Sequence, residues 1–149
     1  MIEKVKYTLK DLQSSKDDEL ITLVYGKVTE LYLGTFGETL DSADSAMAEL
    51  LATWVLESEV HNGGFDQFFH NNGLDYGFNA VNGLSRIKAE DYLVVTKKAI
   101  EVFKNQNDEF QKKRNPDFDS LDDDFYDLEG IEDFRIKYIR NNYAKFMVE

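Results

Sequence analysis

The sequence predicts an all-α fold: a single compact domain over residues 1–149, with six to eight helices arranged about a double-glycine helix-turn-helix corner. Three observations carry this expectation. Apolar residues recur at three- and four-residue spacing along most of the chain, and strict alternation is confined to Val5-Tyr7-Leu9. A length of 149 residues suits one domain, and no low-complexity linker or internal repeat divides it. The stretch Trp54–Gly73 gathers the only Trp, both His and three of the nine Gly around one junction.

The elements follow in order. Residues 1–16 read as a loosely packed N-terminal arm. Ser14 or Ser15 caps a helix whose first turn holds Asp17, Asp18 and Glu19, where the helix dipole favours acids. Its stripe is Leu20, Leu23, Val24, Val28, Leu31 and Tyr32, and Gly34 with Gly37 ends it. A second helix starts at Asp41 or Ser42 and carries Met47, Leu50, Leu51, Trp54, Val55 and Ser58 into Asn62-Gly63-Gly64. Glycine stops it by taking the positive φ of a C-terminal cap, an expectation placed on Gly63. Phe65, Phe68 and Phe69 resume the helical rhythm until Asn72-Gly73.

Trp54, Phe65, Phe68 and Phe69 are expected at the centre of the core. Asn62 and Gln67 are expected to hydrogen-bond across the turn, with Glu59 among the residues that build it. One of Glu57 and Glu59 is expected to fold back onto the N–H of Gly64 or Phe65. A further helix spans Tyr76 to Ile87, weakened at Gly77 and Gly83 by about 1 kcal/mol each. Ala89 to Asn105 follows, with Tyr92, Val95, Ala99, Ile100 and Phe103 inward. Asn115-Pro116 breaks the chain, and Leu121, Phe125 and Leu128 mark a short helix bounded by Gly130. The last helix, from Glu132, carries Phe134, Tyr138, Ile139, Asn142, Tyr143 and Phe146 on its stripe, with Arg135, Lys137 and Arg140 set to pair with nearby acids.

The charge balance narrows function. At −12 the chain repels phosphates over about 8 Å at physiological salt, which disfavours direct nucleic-acid binding and anionic membranes. It favours a basic protein partner. Without cysteine there is no thiol catalysis, no disulfide scaffold and no Cys-based zinc site. No continuous apolar run follows the early charges, so the cytoplasm is the expected compartment and no membrane span is expected.

Between Asp117 and Asp133 lie nine acids and no Lys or Arg, interleaved with Phe118, Leu121, Phe125, Tyr126 and Leu128. The apolar residues would pin the backbone and leave the carboxylates fixed, as imitation of a phosphate array requires, since a flexible tail would lose entropy on binding. Asp119, Asp122, Asp123, Asp124, Asp127, Glu129 and Asp133 are the expected partner contacts. The bland alternative is a charged helix start followed by a solvated loop. An EF-hand over Asp117–Leu128 fails, with Leu121 and Asp122 at positions five and six and Leu128 at position twelve.

The segment Glu57-Ser58-Glu59-Val60-His61-Asn62-Gly63-Gly64-Phe65-Asp66-Gln67-Phe68-Phe69 resembles the signature of a bacterial DNA-mimic-protein-like domain family. The resemblance extends through Asn71-Asn72-Gly73, Ala80, Leu84 and Ile87, the acidic Leu121–Tyr126, and Tyr138-Ile139. His61 stands where the family pattern has Asn. The resemblance implies an acidic, mostly helical homodimer that occupies the DNA-binding face of a transcription factor, and the basic partner expected here is accordingly a DNA-binding protein. From the residues themselves no catalytic residue, metal or cofactor is expected.

Two other functions remain open. In a metal-assisted hydrolase, His61 and His70 would act with Glu57, Glu59 and Asp66, since the four-residue spacings set each carboxylate beside an imidazole. No His-Glu-x-x-His, Gly-x-Ser-x-Gly or phosphate-loop motif accompanies it. An immunity-type inhibitor of a basic toxin nuclease would use the same acidic surface as the mimic.

Overall fold

A computed structural model describes residues 5–32 and 45–147 of the chain. Among the described residues there are six α-helices, three 3-10 turns and no strand: α1 (Leu9–Ser14), α2 (Asp17–Tyr32), α3 (Ser45–Arg86), α4 (Glu90–Asn105), α5 (Asp119–Tyr126) and α6 (Ile131–Arg140). The 3-10 turns are Asp108–Gln111, Pro116–Phe118 and Tyr143–Phe146. The expected helix end at Gly34 and Gly37 and the start at Asp41 or Ser42 lie outside the described residues.

Residues 9–14, expected within a loose arm, instead form α1. Thr8 accepts from the Asp11 N–H while the Asp11 carboxylate takes the Thr8 N–H, a reciprocal cap that starts the helix. Leu12 is buried, and the Tyr7 hydroxyl donates to the Phe146 carbonyl, tying this region to the C-terminal turn.

α3 is one helical run with non-helical backbone at Gly63, Gly64 and Gly73. The expected positive φ falls on Gly64 (φ 78, ψ −180) and not on Gly63 (φ −156). The Gly64 combination is open essentially to glycine alone. The corner swings Phe65, Phe68 and Phe69 into the centre of the molecule, where all three are buried against Tyr76, Phe118 and Phe125. Phe69 also stacks on Phe103 of α4, centroids 4.6 Å apart and planes 5° from parallel.

Trp54 departs from the expectation of a central position. The first segment of α3 buries Met47, Leu50 and Leu51 as expected and then Ala52, Thr53, Leu56 and Val60, while Ser58 is exposed and Trp54 half-buried on the flank toward α2 and α6. There its indole N–H finds the Glu132 carboxylate at 3.2 Å, a partner the apolar centre does not offer. The third segment of α3 returns against the first at Gly83, where any Cβ would overlap the Glu49 carbonyl, so helix-weakening glycine is required for close backbone approach.

The face of α6 is also shifted from the expected stripe. Ile131, Arg135 and Ile139 point inward, and Phe134 is exposed. Four-residue steps from Ile131 define the buried face, with a charged residue in the middle of it.

Candidate functional site

The two segments singled out in the sequence, the glycine corner and the acidic run, are in contact. α5 and the 3-10 turn before it pack on the corner through four polar and aromatic ties. The Phe65 N–H, freed by the break at Gly64, donates to Asp122 Oδ1 at 2.8 Å. The Tyr126 hydroxyl donates to the Val60 carbonyl at 2.8 Å. Asp66 Oδ1 accepts from the N–H of buried Asn115 at 3.2 Å, and the Asn115 side chain in turn caps Asp117 N–H. His61 lies against the rings of Phe125 and Tyr126, with centroids 5.7 and 5.5 Å away.

Asp122 therefore corrects the expected contact set. It is 3% exposed, and its carboxylate begins the second segment of α3 instead of facing a partner. This is also the role expected of Glu57 or Glu59. Glu59 instead accepts the side-chain amides of Gln67 and Asn71, both at 2.9 Å. Glu57 reaches Arg135. Asn62 is exposed.

The signal for Asp122 was in the sequence. Phe118, Leu121, Asp122 and Phe125 form one helical stripe, and all four are buried. Burial pushes the Asp122 carboxyl above the ordinary aspartate range, outweighing the Phe65 N–H and the Arg114 guanidinium that hold it down.

Arg114, just before the acidic run, clamps its first half: one amino group meets Asp119 at 2.7 Å and the other meets Asp122 at 3.0 Å. Beyond Asp122 the picture changes. Asp123, Asp124, Asp127, Glu129 and Asp133 are exposed, on a backbone fixed by buried Leu121, Phe125 and Ile131.

Arg135 holds the far side of this surface. It is fully buried, with Nε donating to Thr53 Oγ1 at 2.9 Å, Nη2 to the Thr53 carbonyl at 3.0 Å, and Nη1 to both Glu57 and Glu132. Its guanidinium sits 5.0 Å from the Trp54 ring. Arg140 pairs with Asp17, joining the end of α6 to the start of α2.

A family model described as DMP19-like protein matches residues 41–142, about two thirds of the chain, covering the corner, α4, α5 and α6. The chain belongs to the DMP19-like protein family. This is the DNA-mimic-protein-like family that the corner signature resembles. No curated protein and no solved structure matches the chain.

In this DMP19-like fold the residues of the hydrolase alternative are used separately. His61 lies against the rings of α5, Asp66 holds Asn115, Glu57 holds Arg135, Glu59 joins the two amides, and His70 is exposed. Among the described residues no group of three or more His, Asp or Glu is placed to hold a metal ion. Among them, too, no helix is long and apolar enough to cross a membrane.

Proposed function

We propose that the protein is a non-enzymatic binding protein that inhibits or regulates a basic DNA-binding protein by presenting carboxylates in place of DNA phosphates. The observation that carries this reading is the outward half of the acidic run. Asp123, Asp124, Asp127, Glu129 and Asp133 are exposed on a scaffold that is hydrogen-bonded and packed from within. A fixed array loses little conformational entropy on binding, and its field speeds encounter with a positively charged partner. Membership of the DMP19-like family supports the same reading.

The test is capture of basic proteins from a lysate on immobilised protein at low and at high salt, followed by elution with duplex DNA. The reading expects a DNA-binding protein that is retained at low salt and displaced by DNA. Retention that neither salt nor DNA disturbs would refute it.

A further inference from the structure

An open groove of about 700 Å³ runs between α2 and the first segment of α3, beside the acidic surface. Its walls are the rings of Tyr25 and Trp54, which meet edge to face at 5.0 Å and 78°. Its rim carries Glu57, His61 and Glu132. Tyr25 is 45% exposed and lines the groove, so its aromatic ring is open to a ligand. An adjoining hollow shares Glu57, His61 and Glu132 and extends the acidic lining to Glu129 and Asp133.

The fold already shows what this aromatic surface accepts. Arg135 places its guanidinium against Trp54 with Glu57 and Glu132 on its Nη1. That charge is fully buried and consumed within the protein. Two carboxylates answer one guanidinium, so the groove keeps an excess of negative charge, and Glu57 and Glu132 stay 31% and 45% exposed.

We propose that the groove receives an arginine side chain from the basic partner, its guanidinium laid on Tyr25 and Trp54 and forked onto the exposed edges of Glu57 and Glu132. The inference rests on the proposed binding of a basic protein and names the side chain that this part of the surface selects. Arginine fits better than lysine, because its planar, weakly hydrated guanidinium both stacks on aromatic faces and presents paired donors to a carboxylate. The groove supplies aromatic walls and carboxylate rim together, whereas the exposed run on α5 offers charge alone to either cation.

Trp54 is the only tryptophan and lines the groove, so its emission reports on this region. The experiment titrates the full chain with a short arginine-rich peptide and with a lysine-rich peptide of equal length and charge. The arginine peptide should give a saturable change in Trp54 emission and bind more tightly than the lysine peptide. Tyr25→Ala should weaken arginine binding about five-fold, the scale of one partly desolvated cation–π contact. Ser58→Arg, which sets a resident cation on the groove lining at an exposed position, should abolish the emission change, with helical circular dichroism confirming that both variants fold. An unresponsive Trp54, equal binding of the two peptides, or wild-type titration of Tyr25→Ala would overturn the inference. Capture of a DNA-displaceable partner with a silent Trp54 would refute the groove alone. A saturating arginine titration without such a partner would refute DNA mimicry alone.

Discussion

Asp122 and Asp123 are neighbours on an eight-residue helix, and the fold uses them in opposite ways. Asp122 is buried, bonded to the Phe65 N–H and to Arg114. Asp123 and Asp124 are exposed beside it. On the Asp122 side the acidic run is a structural part of the glycine corner, and beyond it the run is a surface. The difference teaches that a block of carboxylates is not one functional unit. Helical phase assigns each to the core or to solvent, and a buried carboxylate belongs to the scaffold that holds its neighbours still.

Mutations at the inward end should be the most damaging. Gly64→Ala combines a glycine-only backbone conformation with a Cβ that would overlap the Asp122 carboxylate, and should cost about 3 kcal/mol or more. Gly73 has φ 83 but open space around any Cβ, so Gly73→Ala should cost only the backbone strain, about 1–3 kcal/mol. Urea denaturation of the two variants measures the gap, and equal losses would show that the contact between the corner and α5 carries no weight.

Asp122→Ala removes the partner of a buried N–H and should cost about 1–3 kcal/mol. Asp123→Ala and Asp124→Ala, one residue away, should each fall within about 0.5 kcal/mol of wild type. Comparable melting of all three would collapse the division of the run.

Acidity sharpens the same contrast. The Asp122 pKa is raised in the folded state, so the native protein holds that proton more tightly than the unfolded chain does. Its contribution to stability is therefore gained as pH falls through the raised pKa toward the ordinary aspartate value. It is lost as pH rises back through the same window. Asp122→Asn keeps an oxygen acceptor for Phe65 and removes the titration. The stability of wild type relative to this variant should decline as pH rises through that window, and a constant or rising difference would contradict the burial argument.

Much of this fold was legible in the chain. The stripe of α4, that of α2 as far as Val28 (Leu31, expected on it, is exposed), the glycine break and the aromatic centre at Phe65, Phe68 and Phe69 follow from spacing. Trp54 was misplaced because a three-four rhythm fixes a face only to within about a residue, and the face that won was the one whose neighbours left the indole N–H a carboxylate. Arg135 on the buried face of α6 was not legible as a core residue. A charged side chain enters the core only when several acceptors converge on it, here Thr53, Glu57 and Glu132, which lie on two helices distant in sequence or a turn away. The contact between the corner and α5 was hidden for the same reason, because no local pattern reports which loop a helix packs on.

The most direct test concerns the outward carboxylates. Asp123→Asn, Asp124→Asn and Asp127→Asn combined should leave the denaturation midpoint close to wild type, since all three are exposed and lie off the corner. Affinity for the captured, DNA-displaceable partner should fall, and the slope of log affinity against log salt should become shallower. Unchanged affinity and an unchanged salt slope in a folded triple variant would contradict the claim that this fixed face of α5 stands in for DNA.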